Sequence, residues 1–343
     1  MLQFFRTTRP AALFSTVAIA IALWAQSLMA AMSITAAPTT HGEATMPLYA
    51  LTLRLLESET SIWSILLSLA LTITMGFYML AINTRHIIIK QRSSYVPLML
   101  VLIASALATA QRLNPAVLAA LTLLRAFDHL LSIYPSNKPL DAIFRAGLNI
   151  GVATLFYAPA AAFALLLPIA LLSMRPFFVR EWIAAIIGLL LPTGIHALVL
   201  FLTDHPVADA WNRLIVGLNT HSSTAYPNLH TQIAMGVGLG LPTAVALLFT
   251  LRRAPMLKIN VKKALSTNIW MLLICIACFA IIPNASFEML YIIALPLALP
   301  LANLFVHIRS AFWGNLLLAF LLIGAAASQL LPLMLHPLAQ GQP

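Results

Sequence analysis

Ala146-Gly147-Leu148-Asn149-Ile150-Gly151-Val152-Ala153-Thr154-Leu155-Phe156-Tyr157-Ala158-Pro159 opens an apolar run that continues through Pro168 to Leu172. Pro159 removes a backbone donor and clashes with the preceding turn, and Ala158 before it is pushed away from helix. The run is therefore either one kinked crossing or two half-helices that enter and leave on the same side. Counting cations separates the two. With Arg6 and Arg9 on the inner side, a reversal within 146–173 places sixteen of the nineteen Lys and Arg inside and leaves Arg54, Arg112 and Arg213 outside. A single crossing flips every later loop and divides them nine to ten. Basic loops collect on the cytoplasmic side of membrane proteins, so the sequence predicts a broken or re-entrant helical hairpin.

The composition around this segment sets the solvent. Hydrophobic residues make up 61% of 343 positions, charged residues 8%, and the mean hydropathy is +0.95. A soluble domain carries about a quarter charged residues, so this chain faces hydrocarbon, where helices or closed barrels alone satisfy the backbone. Barrel strands alternate apolar and polar residues. Runs such as Ala11–Ala31 and Leu229–Leu251 do not. The fold class is all-α, a polytopic transmembrane helix bundle forming a single integral membrane domain over 1–343. Spans are expected at 11–31, 62–82, 95–110, 113–131, 146–157 with 159–173 as the hairpin, 183–202, 229–251, 267–282, 287–306 and 312–333. The pair 95–110 and 113–131 is joined by Gln111 and Arg112, with Asn114-Pro115 opening the second, and reads as a tight helical hairpin. Segment 11–31 is longer than the apolar core of a signal peptide and is read as a retained first helix. The amino end is expected in the cytoplasm and the carboxyl end outside.

The formal net charge of +10 belongs to the inner loops, and no aromatic-interleaved basic patch points to nucleic acid. Cys275 and Cys278 share a helix face and read as small apolar residues of a span. Leu48–Glu57 reads as a short helix lying in the outer interface. Arg175-Pro176-Phe177-Phe178-Val179-Arg180-Glu181-Trp182 looks like an interfacial anchor, with rings at head-group depth.

Candidate chemistry divides by side. Outside, Glu43 stands just after the first helix, where lipid-dependent glycosyltransferases with many helices hold a catalytic acid, and Asp204 and His205 sit in the most polar outer loop, 203–228. Glu43, Asp204 and His205 are the candidate catalytic residues. Their spacing matches no metal motif, so no metal site is assigned. Inside, Arg145, Arg175 and Arg180 are candidates for substrate or phosphate binding, and Arg125 and Asp128 stand one helical turn apart and are expected to pair. His196 and Asn149 read as satisfied polar residues within the bundle. No Walker motif, GxGxxG, HExxH, GxSxG or CxxCH occurs, and no cofactor is indicated.

Met1-Leu2-Gln3-Phe4-Phe5-Arg6-Thr7-Thr8-Arg9-Pro10-Ala11, then Phe144–Gly151, Leu155–Ala160, Arg175-Pro176-Phe177 and Arg180-Glu181-Trp182 carry a likeness that spans nearly the whole chain, most specifically 144–188. In these the sequence resembles a family of polytopic inner-membrane proteins of Bacteroidetes, a domain of unknown function. The resemblance implies membrane class and bacterial origin and carries over no catalytic residue. Two functional readings follow from architecture. One is a role in envelope glycan or lipid-linked sugar metabolism, glycosyltransferase-like or accessory, with membrane lipids, a lipid-linked sugar or envelope proteins as partners. The other is a transporter or flippase-like carrier using the hairpin as its gate. A structural subunit of an envelope complex is a third, non-catalytic option.

Overall fold

The computed structural model describes residues 2–6, 10–33, 46–56, 62–91, 93–134, 139–174, 177–219, 229–283, 285–308 and 310–340. In chain order the helices are α1 (Leu2–Phe5), α2 (Pro10–Ser33), α3 (Pro47–Leu56), α4 (Ile62–His86), α5 (Tyr95–Ala104), α6 (Pro115–Leu131) and α7 (Leu140–Phe156). They continue with α8 (Leu166–Met174), α9 (Val179–Leu202), α10 (Ala208–Asn219), α11 (Leu229–Met235), α12 (Leu241–Arg253), α13 (Ile259–Ile281), α14 (Leu290–His307) and α15 (Ala311–Gln340). Short 3₁₀ turns link several of these, and no strand occurs among the described residues. Among the described residues, seven helical stretches are long and apolar enough to cross a bilayer. At 1.5 Å per residue, the 24 residues of α9 extend about 36 Å, more than the ~30 Å hydrocarbon core.

The hairpin at 146–173 reverses within the bundle. Tyr157 caps α7 with extended backbone, and Pro159 lies in the first turn of a 3₁₀ helix, Ala158–Leu165, that runs into α8. There the missing proline N–H leaves no helical bond unmade. The returning limb brings the Met174 carbonyl back to the level of the Lys263 ammonium, 3.0 Å away at the start of α13. Higher up, the Cys278 thiol of the same helix lies 3.9 Å from the Pro159 carbonyl. Helix α9 then climbs parallel to α7. A side chain at Gly147 would meet the Ala185 carbonyl at 2.6 Å, and Gly188 and Gly151 likewise face the backbone of the opposite helix. Small residues at this seam let the two backbones approach, the usual basis of helix association in lipid.

A second reversal occupies the core. All ten residues of α5 are buried, and the chain leaves helix at Ser105 and resumes it at Pro115. This break is longer than the two-residue joint expected from the sequence. Backbone freed at membrane depth must find partners inside the protein, and it does. Gln111 Nε2 donates to the Ser105 carbonyl (2.8 Å), the Tyr291 hydroxyl to the Ala110 carbonyl (2.9 Å), and the Ser328 hydroxyl to the Ala106 carbonyl (2.5 Å). Tyr49 donates to the Leu113 carbonyl (3.0 Å), and the Leu113 N–H reaches Ser64 Oγ (2.9 Å). Asn114 caps α6 through the Val117 N–H at 2.9 Å, with Pro115 in the first turn.

Around this core the outer helices turn apolar faces outward. On α9, Ile183, Ile186, Ile187, Leu190, Ile195 and Leu198 are each at least half exposed, a surface a water-soluble monomer avoids. Helix α13 begins at Ile259, eight residues before the apolar run at 267, and near its start Lys263 lies over the Tyr134 ring and donates to the Met174 carbonyl. The described cations divide by end. Arg6, Arg85, Arg125, Arg145, Arg180, Arg253 and Lys263 sit at one end, tied there by contacts such as Arg6 to the Ile308 carbonyl and Arg85 to Asp128. Arg54, Arg112 and Arg213 lie toward the other end.

Candidate functional site

The cation-poor end contains a pocket of about 440 Å³. Its walls come from Met46 and Pro47 at the start of α3, Leu155 at the top of α7, Leu190–Ala197 on α9 and Val207–Leu214 on α10. The sequence explains each wall. Pro47 opens α3, whose Tyr49 is fastened to the Leu113 carbonyl. Pro192 lies inside α9, and the flanking Gly194 has no neighbour within 4 Å of a side chain placed there, so the helix is hollow on that side. Helix α10 is amphipathic, with Ala208, Ala210, Trp211 and Leu214, and Val207 just before it, toward the pocket.

The lining is apolar except at two residues. Thr193 donates its hydroxyl to the Leu190 carbonyl at 2.8 Å and so is occupied within its own helix. His196 is not. Its Nε2 is closed to solvent and has no hydrogen-bond partner among the described residues. Buried polar atoms in proteins are almost always paired, so this enclosed ring nitrogen, beside the pocket and not open to it, is an exception. The sequence reading of His196 as a satisfied bundle residue is thereby corrected; Asn149 fits it, donating to the Arg145 carbonyl at 2.7 Å. Arg213, also on α10, is not among the residues that line the pocket.

Of the sequence-predicted outer residues, Asp204 and His205 do not line this pocket. Asp204 and His205 are both exposed. Asp204 takes the left-handed conformation (φ 54°) just past α9, and the His205 N–H bonds back to the Leu200 carbonyl at 3.0 Å, so the pair terminates the helix in the manner of a Schellman turn. His205 Nδ1 lies 2.7 Å from the Thr203 carbonyl. Glu43 lies outside the described residues, three positions before Met46, which lines the pocket. A further acid, Glu288, stands in the turn before α14 within electrostatic reach of Tyr157 at the hairpin tip. No sequence pattern marked it.

At the basic end a second polar cluster forms. The Asp128 carboxylate, 3% exposed, receives the Tyr78 hydroxyl at 2.8 Å, the Arg85 guanidinium and His86 Nε2 at 3.0 Å. The expected Arg125–Asp128 pairing is replaced by this set, because the end of α4 packs beside α6 and presents three donors where Arg125 points to solvent. Such a carboxylate has its lone pairs occupied and serves to clamp α4 to α6. Arg145 pairs with Asp141 at 2.9 Å, both exposed, and Arg180 is exposed at the start of α9. Arg175 lies outside the described residues. Cys275 and Cys278 are buried free thiols. Among the described residues no three of His, Cys, Asp and Glu gather as a metal site.

The fold and pocket define a class, a polytopic α-helical membrane protein with a pocket at its cation-poor end. No family model, curated protein or solved structure matches the chain.

Proposed function

We propose that this is a multi-pass protein of the bacterial inner membrane, amino end in the cytoplasm, that handles a lipidic intermediate of envelope glycan or lipid-linked sugar metabolism, as a glycosyltransferase-like protein or as an accessory to one. The observation that carries this reading is the 440 Å³ pocket with apolar walls and one unpartnered imidazole. Its size falls in the range of small-molecule sites, about 300–1,000 Å³, and such sites pair apolar walls with a few polar groups. The gathering of cations at the far end supports an external position for the pocket, since basic loops stay inside. The likeness to Bacteroidetes inner-membrane proteins agrees with the compartment.

A carrier is the second reading, and one observation favours it: Leu155, at the top of the re-entrant limb, forms part of the pocket wall. Against it, the tip residues Tyr157, Ala158, Pro159 and Ala160 are buried, which suits a fixed element better than a gate. The test is genetic. A deletion strain should accumulate lipid-linked glycan intermediates. The wild-type gene should clear them, and Gly194→Phe, which fills the pocket where nothing stands within 4 Å, should not. Unchanged intermediates in the deletion strain would exclude the reading.

A further inference from the structure

We infer that, independently of the pocket, the hairpin joining α12 to α13 is a docking surface for anionic phospholipid head groups, in the leaflet at the cation-rich end of the bundle. Its charge is uncompensated. Residues 252–263 hold Arg252, Arg253, Lys258, Lys262 and Lys263, and the sequence has no Asp or Glu between Asp209 and Glu288. Lys263 is taken up inside the fold, by the Met174 carbonyl at 3.0 Å and the face of the Tyr134 ring at 3.9 Å. The other four are exposed. Arg253 rests over the Phe249 ring at 4.8 Å, and none of the four meets a carboxylate among the described residues.

The depth of these cations points to lipid. One apolar stretch long enough to cross a bilayer ends at Met256 and the next begins at Ile259, so only Leu257 and Lys258 join them. Arg252 and Arg253 lie about one helical turn before this joint, and Lys262 about one turn after it. So short a joint holds the four charges at the level of the bilayer phosphates, where basic clusters beside a span attract anionic head groups. The surface between them is apolar: Met256 is 88% exposed and Ile259 64%. A soluble acidic partner or a nucleic acid offers nothing to cover those two side chains, whereas a leaflet places acyl chains directly beneath its phosphates. The Lys263 bond also fixes α13 beside the end of α8, three positions before Phe177. The Phe177 ring lies 5.4 Å from that of Trp182, and tryptophan collects at head-group depth.

The test uses the full chain with Cys275→Ala, Cys278→Ala and Met256→Cys, labelled with bimane at position 256 and reconstituted into dioleoyl phosphatidylcholine vesicles. Brominated phosphatidylglycerol or brominated phosphatidylcholine, alike in chains and different in head-group charge, is included at equal mole fraction as the quencher. The glycerol lipid should associate at position 256 about tenfold more tightly than the choline lipid, the equivalent of about 1.4 kcal/mol. A bimane placed by Ile281→Cys, exposed at the opposite end of the same helix, should show no preference. At about 1 M salt, where the screening length is about 3 Å, the preference at 256 should vanish. Lys258→Gln together with Lys262→Gln should lower it about threefold. Equal quenching by the two lipids at 256, a preference that survives the salt, or the same preference at 281 overturns the inference. No quenching by either lipid at 256 places the joint in water and overturns it in favour of a soluble acidic partner. If the double variant does not fold, the salt series on the unaltered cations decides alone.

Discussion

Asp128 sits inside the bundle because a hydroxyl, a guanidinium and an imidazole meet it from the last turns of α4. Charge-assisted bonds of this kind are worth about 1.5–3 kcal/mol each, and an orphaned buried partner costs more than an exposed one. Arg85 is 56% exposed and can return to water, whereas Tyr78 and His86 cannot do so as readily. Asp128→Asn should therefore lower stability by about 2 kcal/mol, read as a fall in melting temperature in detergent, while Asp141→Asn in the exposed pair with Arg145 should change it by less than about 0.5 kcal/mol. Little of this was legible in the sequence. Spacing along one helix suggested Arg125 as the partner, since a residue three positions away always shares a face. The actual donors stand 42 to 50 positions earlier, and no local pattern encodes which helix packs alongside. His196 was obscure for the same reason. Its lack of a partner depends on how the helices around α9 pack, which spacing along one helix does not encode.

At the scale of elements, the reversal at 157–160 was legible because a proline acts on its own neighbours: it removes one N–H and restricts one residue. The reversal at 105–114 was legible only as a short joint. The unwinding there depends on Tyr49, Ser64, Tyr291 and Ser328 arriving from four other helices to satisfy its backbone. The seam between α7 and α9 is equally remote, yet its glycines are visible once the helices are known to be parallel. Gly188 faces the Phe144 carbonyl directly, with no room for a side chain. Gly188→Leu should separate the helices and cost about 3 kcal/mol, at the upper end of overpacking effects. Gly194→Leu, one and a half turns on with open space around it, should leave stability within about 0.5 kcal/mol. Thermal unfolding of both variants in the same detergent checks the difference.

For the whole molecule, the division of cations between the two ends predicts sidedness. In a background with Cys275 and Cys278 replaced by alanine, an impermeant maleimide applied to spheroplasts should label a cysteine at 205 or 212 and spare one at 253 or 258. Lysis should open the second pair to reagent. Labelling of 253 or 258 before lysis would invert the orientation and place the pocket inside. The class, most of the long apolar helices and the reversal at Pro159 were legible in the sequence, because hydropathy and proline sterics act over neighbouring residues and the cation count sums over the whole chain; α10, inside the stretch read as a polar loop, was not. The pocket and the enclosure of Asp128 were decided only by tertiary structure, because each is made of side chains from helices far apart in the chain, brought together by packing.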